Sequence, residues 1–198
     1  SVPINGGKSV AVTDYKSLLN DRLLSPDGKF LLYDEAVKIQ DITAQDYYPE
    51  LEKATVQIYN ELDYRHWDAW NEGKYNHIFY KDVSDDKGID IMKDELVNSP
   101  QKPFGGSEDY IWTPDGNSIV YVSKKVSGTK AATSTNTDLY QYELATKSTT
   151  NLTPENKGYD THPVFSPSGD LSWLQMKRDG FEADKNDIVV RHQGMVMN

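Results

Sequence analysis

Thr113-Pro114-Asp115-Gly116-Asn117 runs into Ser118-Ile119-Val120-Tyr121-Val122, and the same order of parts recurs along the chain. Ser25-Pro26-Asp27-Gly28-Lys29 leads into Phe30-Leu31-Leu32-Tyr33, and Ser166-Pro167-Ser168-Gly169-Asp170 into Leu171-Ser172-Trp173-Leu174. A weaker copy is Trp70-Asn71-Glu72-Gly73-Lys74, followed by Tyr75-Asn76-His77-Ile78-Phe79-Tyr80. In each copy Pro or a polar residue sets up a tight turn, Gly supplies a positive φ, and an apolar strand follows. The four glycines recur at intervals of roughly 43 to 53 residues, a period that marks repeat architectures.

Between these turns lies a second kind of strand pair. Asp138-Leu139-Tyr140-Gln141-Tyr142-Glu143-Leu144 alternates, turns at Ala145-Thr146-Lys147 and returns to Asn151-Leu152-Thr153; Asn186-Asp187-Ile188-Val189-Val190-Arg191 begins the same pattern. Val10-Ala11-Val12-Thr13 reads as the tail of a preceding unit. Two hairpins per ~40–45 residues make a four-stranded antiparallel blade. The fold class expected is therefore all-β: a β-propeller fragment of about four blades, with blade turns near residues 25–29, 70–74, 113–117 and 166–170. A β-sandwich with chance turn similarity is the competing architecture.

Residues 49–63 break the rhythm. Leu51, Ala54, Ile58 and Leu62 share one helical face, Pro49 suits a first turn, and Glu50 and Glu52 suit the positive end of the dipole. An inserted helix is predicted here. The polar run Ser127–Asn136 is predicted to be a flexible excursion.

The composition narrows the functional classes. The chain has 198 residues, no cysteine and a net charge of −10. Disulfides and thiolate metal sites are excluded, and an acidic balance argues against a nucleic-acid groove or a basic membrane patch. No apolar run approaches the ~18 residues of a spanning helix, and residues 1–7 lack the pattern of a signal peptide. The sequence carries no nucleophile elbow, Walker motif, His-Glu-x-x-His or EF-hand loop, and no cofactor is expected. Gly105-Gly106-Ser107-Glu108-Asp109 reads as a blade connector, and Asp82–Gly88 as a solvated hairpin tip. His66, His77, His162 and His192 have no metal-ligand spacing, although a propeller can gather distant histidines on one face.

The densest polar and aromatic cluster is Arg65-His66-Trp67-Asp68. It could fix a substrate terminus through its guanidinium or carboxylate, or form an internal Arg65–Asp68 pair with Trp67 packed against the helix. Glu61 and Asp63 beside it could hold a cationic amine, as could Glu50 and Glu52. Candidate substrate-binding residues are thus Glu61, Asp63, Arg65, His66 and Asp68, with no catalytic or metal-binding residue expected.

Taken together, the Ser-Pro-Asp-Gly-Lys turns resemble the blades of TolB and of prolyl oligopeptidase-type serine peptidases. Tyr64-Arg65-His66-Trp67-Asp68-Ala69-Trp70, then Gly73–Phe79, is similar to the dipeptidyl-peptidase V branch, as is Pro103-Phe104-Gly105-Gly106 running toward Asp109–Gly116. The resemblance implies a propeller joined to an α/β-hydrolase domain that carries the catalytic Ser, Asp and His, a peptide substrate, and a periplasmic or secreted location. It also implies that the propeller controls access and that an acidic insertion binds the substrate's ammonium group. Both ends of the sequence fall within a blade, so about half a propeller is expected here, without the hydrolase domain. The alternatives are a non-catalytic binding propeller of the TolB type or, further off, a metal-dependent propeller lyase.

Overall fold

The computed structural model describes residues 7–8, 22–62 and 64–198. The strand expected at Val10–Thr13 and the candidate Asp63 lie outside the described residues. Strands β1 (Leu23–Leu24) and β2 (Phe30–Lys38) flank the first turn, where Gly28 adopts a φ of 75° and the Ser25 hydroxyl accepts the amides of Lys29 and Phe30. A long connection follows, containing α1 (Ala44–Tyr47) and the ribbon β3 (Arg65–His66) and β4 (Ala69–Trp70). The chain then returns as β5 (Lys74–Asp82), paired along all nine residues of β2, and turns into β6 (Ile89–Asp90).

Two more sheets repeat this meander. The second comprises β7 (Tyr110–Trp112), β8 (Ser118–Ser123), β9 (Asp138–Glu143) and β10 (Ser148–Asn151), with the short helix α2 (Thr129–Thr133) in its β8–β9 loop. The third comprises β11 (Asp160–Phe165), β12 (Leu171–Gln175), β13 (Asp187–His192) and β14 (Met195–Met197). Among the described residues there are thus four antiparallel sheets, three of four strands and one of two.

Two expectations are corrected. The turn at 70–74 opens no blade of its own; it delivers the chain from β4 into β5, the third strand of the first sheet. Gly73 is needed there for a different reason. Its carbonyl accepts the amides of Ile39 and Gln40, its φ is 76°, and a Cβ at this position would collide with the Gln40 carbonyl. Residues 49–62 form no helix. The Ala44 amide donates to the Val56 carbonyl, the Ile58 amide to the Ile42 carbonyl, and Thr43 bridges Gln57. Leu51 and Leu62 remain half exposed, so the predicted apolar face has nothing to bury against, and a short helix without a docked face is not stable. The insertion does contain a helix, but it is the single turn at Ala44–Tyr47, closed by a capping box of Thr43 and Asp46. The excursion at 127–136 likewise contains a helical turn, α2.

The sheets pack face to face, and β8 shows why its sequence is continuously apolar. Ile119 and Tyr121 point into a cluster with Leu32, Ile78 and Tyr80 of the first sheet. Val120 and Val122 point the other way, against Leu171, Trp173 and Val189 of the third. A strand covered on both faces has no polar face to alternate with, and all six of its residues are buried. Polar contacts cross the same junctions: the Trp112 indole donates to the Leu23 carbonyl at 3.1 Å, and the Thr137 hydroxyl, just before β9, donates to the Asp160 carbonyl of β11 at 2.9 Å. Within the third sheet the Trp173 indole donates to the Asp160 carboxylate at 2.8 Å. Asp160 is fully buried and also accepts from Gln175 and Asn156; burial still pushes its carboxyl above the usual range.

Meander topology sorts the connections onto two ends. The Gly28, Gly116 and Gly169 turns share one end. The insertion 39–73, the connector 91–109, the β8–β9 loop, and the segments 152–159 and 176–186 share the other.

Candidate functional site

The insertion projects its ribbon at that second end. Trp67 and Asp68 form the turn between β3 and β4, with Trp67 at a φ of 49°. Non-glycine residues in this left-handed region are uncommon. The ring meets Phe104 of the β6–β7 connector edge-on, with centroids 5.5 Å apart. Both rings stay open to solvent, Trp67 at 68% and Phe104 at 74% of full exposure. Below them Tyr59, Tyr64 and Trp70 stack on one another and stiffen the base of the ribbon.

Of the candidate residues, Glu61, Arg65, His66 and Asp68 are all exposed on this insertion. Arg65 lies over the Trp70 ring at 5.4 Å, and His66 packs on Trp67 at 4.9 Å. The internal Arg65–Asp68 pair does not form, and Trp67 packs on Phe104, not on a helix. Glu61 stands apart from the ribbon, near the loop at Gly128 that leads into α2. The candidates therefore share one surface without converging on a single point.

Convergence occurs beside them, in a cavity of about 310 Å³ roofed by Phe104. Its polar lining includes Gln101, Glu108, Asp109, His162 and Glu182. Asp109 sits in a one-turn 3-10 segment, is 2% exposed, and among the described residues accepts only the Gln101 amide, at 2.9 Å. A Cβ on Gly105 would collide with that carboxylate, so the Gly105-Gly106 pair lets the connector close around it. The Gln101 side-chain oxygen is also buried there, with no hydrogen-bond partner among the described residues. His162 is presented by a bulge in β11 between Thr161 and Val164, at a φ of 55°. Bulges and left-handed non-glycine residues are common devices for aiming a side chain at a site.

The electrostatics follow from this geometry. Burial pushes the Asp109 carboxyl up to about 6; the Gln101 amide pulls it down, the Glu108 charge pushes it up, and His162 pulls it down. Lys102, Tyr159, Thr161 and Asn186 add donors to the lining, but its three carboxylates, Glu108, Asp109 and Glu182, stand against a single lysine, so the charge balance of the cavity suits a small cation such as a primary ammonium. Among the described residues no group of three or more His, Cys, Asp or Glu side chains is placed to hold a metal ion. No helix of the described residues is long and apolar enough to cross a membrane.

Sequence reasoning assigned Gly105–Asp109 correctly to a connector but gave Asp109 no role. The available signal was a Gly-Gly pair three residues before an acidic residue that opens a buried strand.

Three consecutive four-stranded meanders, packed face to face with shared apolar junctions, define the chain as a β-propeller segment. No protein-family model matches it. The chain is homologous over most of its length to proteins named dipeptidyl-peptidase 5. It is 42% identical to that of Porphyromonas gingivalis over 85% of the chain and 25% of the relative. It is 39% identical to that of Porphyromonas endodontalis over 93% of the chain and 27% of the relative. The chain thus spans about a quarter of the length of these curated relatives. Among solved structures it aligns with TolB from Acinetobacter baumannii at a TM-score of 0.48 and 14% identity, covering 89% of this chain and 31% of that one. A putative dipeptidyl aminopeptidase IV from Bacteroides ovatus aligns at 0.43 and 14%, covering 85% and 22%.

Proposed function

We propose that this peptidase-related propeller segment is the non-catalytic part of a dipeptidyl-peptidase-type serine exopeptidase, where it restricts access and supplies part of the peptide-binding pocket. Hydrolysis itself belongs to an α/β-hydrolase domain of the same parent, and the parent works in the periplasm or outside the cell. The observation that carries the reading is the cavity under Phe104, lined by the three carboxylates Glu108, Asp109 and Glu182 beside an exposed aromatic ribbon. A free peptide N-terminus is a compact ammonium with three donors, and Glu108, Asp109, Glu182 and the Gln101 oxygen supply the acceptors it lacks in an apolar setting. Trp67 and Phe104 cover the first side chains, while Glu61, Arg65 and Asp68 on the insertion, with Asp63 next to them in sequence, set the charge around the approach. Homology to proteins named dipeptidyl-peptidase 5 supports the same assignment.

The test uses the intact polypeptide with dipeptidyl chromogenic substrates, free or acetylated at the N-terminus. Cleavage of the free form only is expected. Glu182→Gln is expected to raise KM about tenfold, the effect of one lost charge-assisted hydrogen bond of ~1.5 kcal/mol. Glu61→Gln and Arg65→Gln are expected to lower kcat/KM by a smaller factor. Equal turnover of the acetylated substrate, or kinetics untouched by all three changes, contradicts the proposal.

A further inference from the structure

We infer that Asp109 exchanges a proton for the ligand's ammonium, so that capture in this cavity is coupled to pH and tightens from mildly acidic to neutral conditions. The inference rests on the reading above, that the cavity takes an ammonium, and adds how the site is regulated.

The geometry leads there directly. Asp109 is 2% exposed, receives one backbone amide, and forms no ion pair among the described residues. An ionised carboxylate so placed lacks compensation, and so does the unpartnered Gln101 oxygen in the same lining. Two species relieve this state: a proton on Asp109, or a cationic donor in the cavity. They occupy the same oxygen face and therefore compete. The charged and titratable groups around it are Glu108 on the 3-10 segment, Lys102 on the connector, His162 on β11, and Glu182 and Tyr159 on the adjoining loops. Glu108 favours the protonated acid and His162 favours the carboxylate, but burial dominates both and holds the carboxyl near 6. The empty site is thus largely protonated at pH 5 and largely ionised at pH 7. Nothing covalent happens: the Asp109 O–H proton passes to solvent as the ammonium N–H groups replace it as donors.

Calorimetric titration of the intact polypeptide with alanyl-alanine, in two buffers of different ionisation enthalpy, reads affinity and proton release together. Affinity is expected to rise about tenfold between pH 5 and pH 7, the ratio of ionised fractions for a group titrating near 6, with most of one proton released per dipeptide at pH 5.5. Asp109→Asn is expected to bind more weakly, with no release and a flat profile over this range. His162→Gln is expected to retain the release, which separates Asp109 from the imidazole as proton source. Glu182→Gln, on an exposed loop, is expected to weaken binding at every pH while leaving the proton count intact. If free alanyl-alanine binds but acetyl-alanyl-alanine does not, and affinity is the same at pH 5 and pH 7, ammonium recognition stands and the exchange is overturned. Release that persists in Asp109→Asn also overturns it. Equal binding of the acetylated peptide, or no binding at any pH, overturns the ammonium reading itself and the exchange with it.

Discussion

Adjacent residues of β8 face opposite neighbours, so truncating them one at a time probes two different interfaces. Ile119 is fully buried in the cluster shared by the first and second sheets, and Val120 is fully buried in the cluster shared by the second and third. Ile119→Ala removes three carbons, about 2.4 kcal/mol of transfer free energy at ~0.8 per methylene, and a cavity adds to that. Its expected cost is about 3–4 kcal/mol. Val120→Ala removes two carbons and is expected to cost about 2–3 kcal/mol. Urea unfolding gives the totals, and amide exchange gives the location. Ile119→Ala should speed exchange around Ile78 and Tyr80 while sparing Trp173 and Val189; Val120→Ala should do the reverse. Thr150→Ala on the exposed strand β10 serves as the surface control, within about 0.5 kcal/mol of wild type. A Val120→Ala cost no larger than this control would refute face-to-face stacking of the second and third sheets.

Two other outcomes follow from the same structure. Asp109 has its carboxyl raised to about 6 from an ordinary 3.8, so the stability it contributes is complete below the lower value and is lost as pH rises through the upper one. Asp109→Asn should therefore stabilise the protein at pH 7 by up to about 3 kcal/mol, with the gain vanishing near pH 4, and a less stable variant at pH 7 would count against a strained buried carboxylate. Gly73→Ala should cost about 2–4 kcal/mol because the residue has a positive φ and a Cβ meets the Gln40 carbonyl; unchanged thermal unfolding would show that the insertion's base is not closed there.

The sequence disclosed those parts of the fold whose chemistry is local. The turns at Gly28, Gly116 and Gly169 were legible because Pro, Asp and Gly act within four residues, and β9 because Leu139, Tyr140 and Tyr142 belong to one clear strand pattern. Gly73 misled because it satisfies a long-range demand, the approach of Gln40, with the same residue type that a turn requires. Leu51, Ala54, Ile58 and Leu62 misled because helical spacing says nothing about whether a surface exists to receive the face. Of the site, the insertion's polar residues were visible as a dense motif. Asp109 was not, since its character comes from Gln101, Glu108 and His162, brought together by a connector and a bulge on different sheets.

The central claim is that the cavity beneath Phe104 receives a peptide's N-terminus. A crystal structure of the intact polypeptide with a bound dipeptide tests it most directly. The ammonium nitrogen is expected within hydrogen-bonding distance of Asp109 and Glu182, with Trp67 and Phe104 over the first side chain. A dipeptide whose ammonium is held elsewhere, with this cavity free of it, would contradict the account.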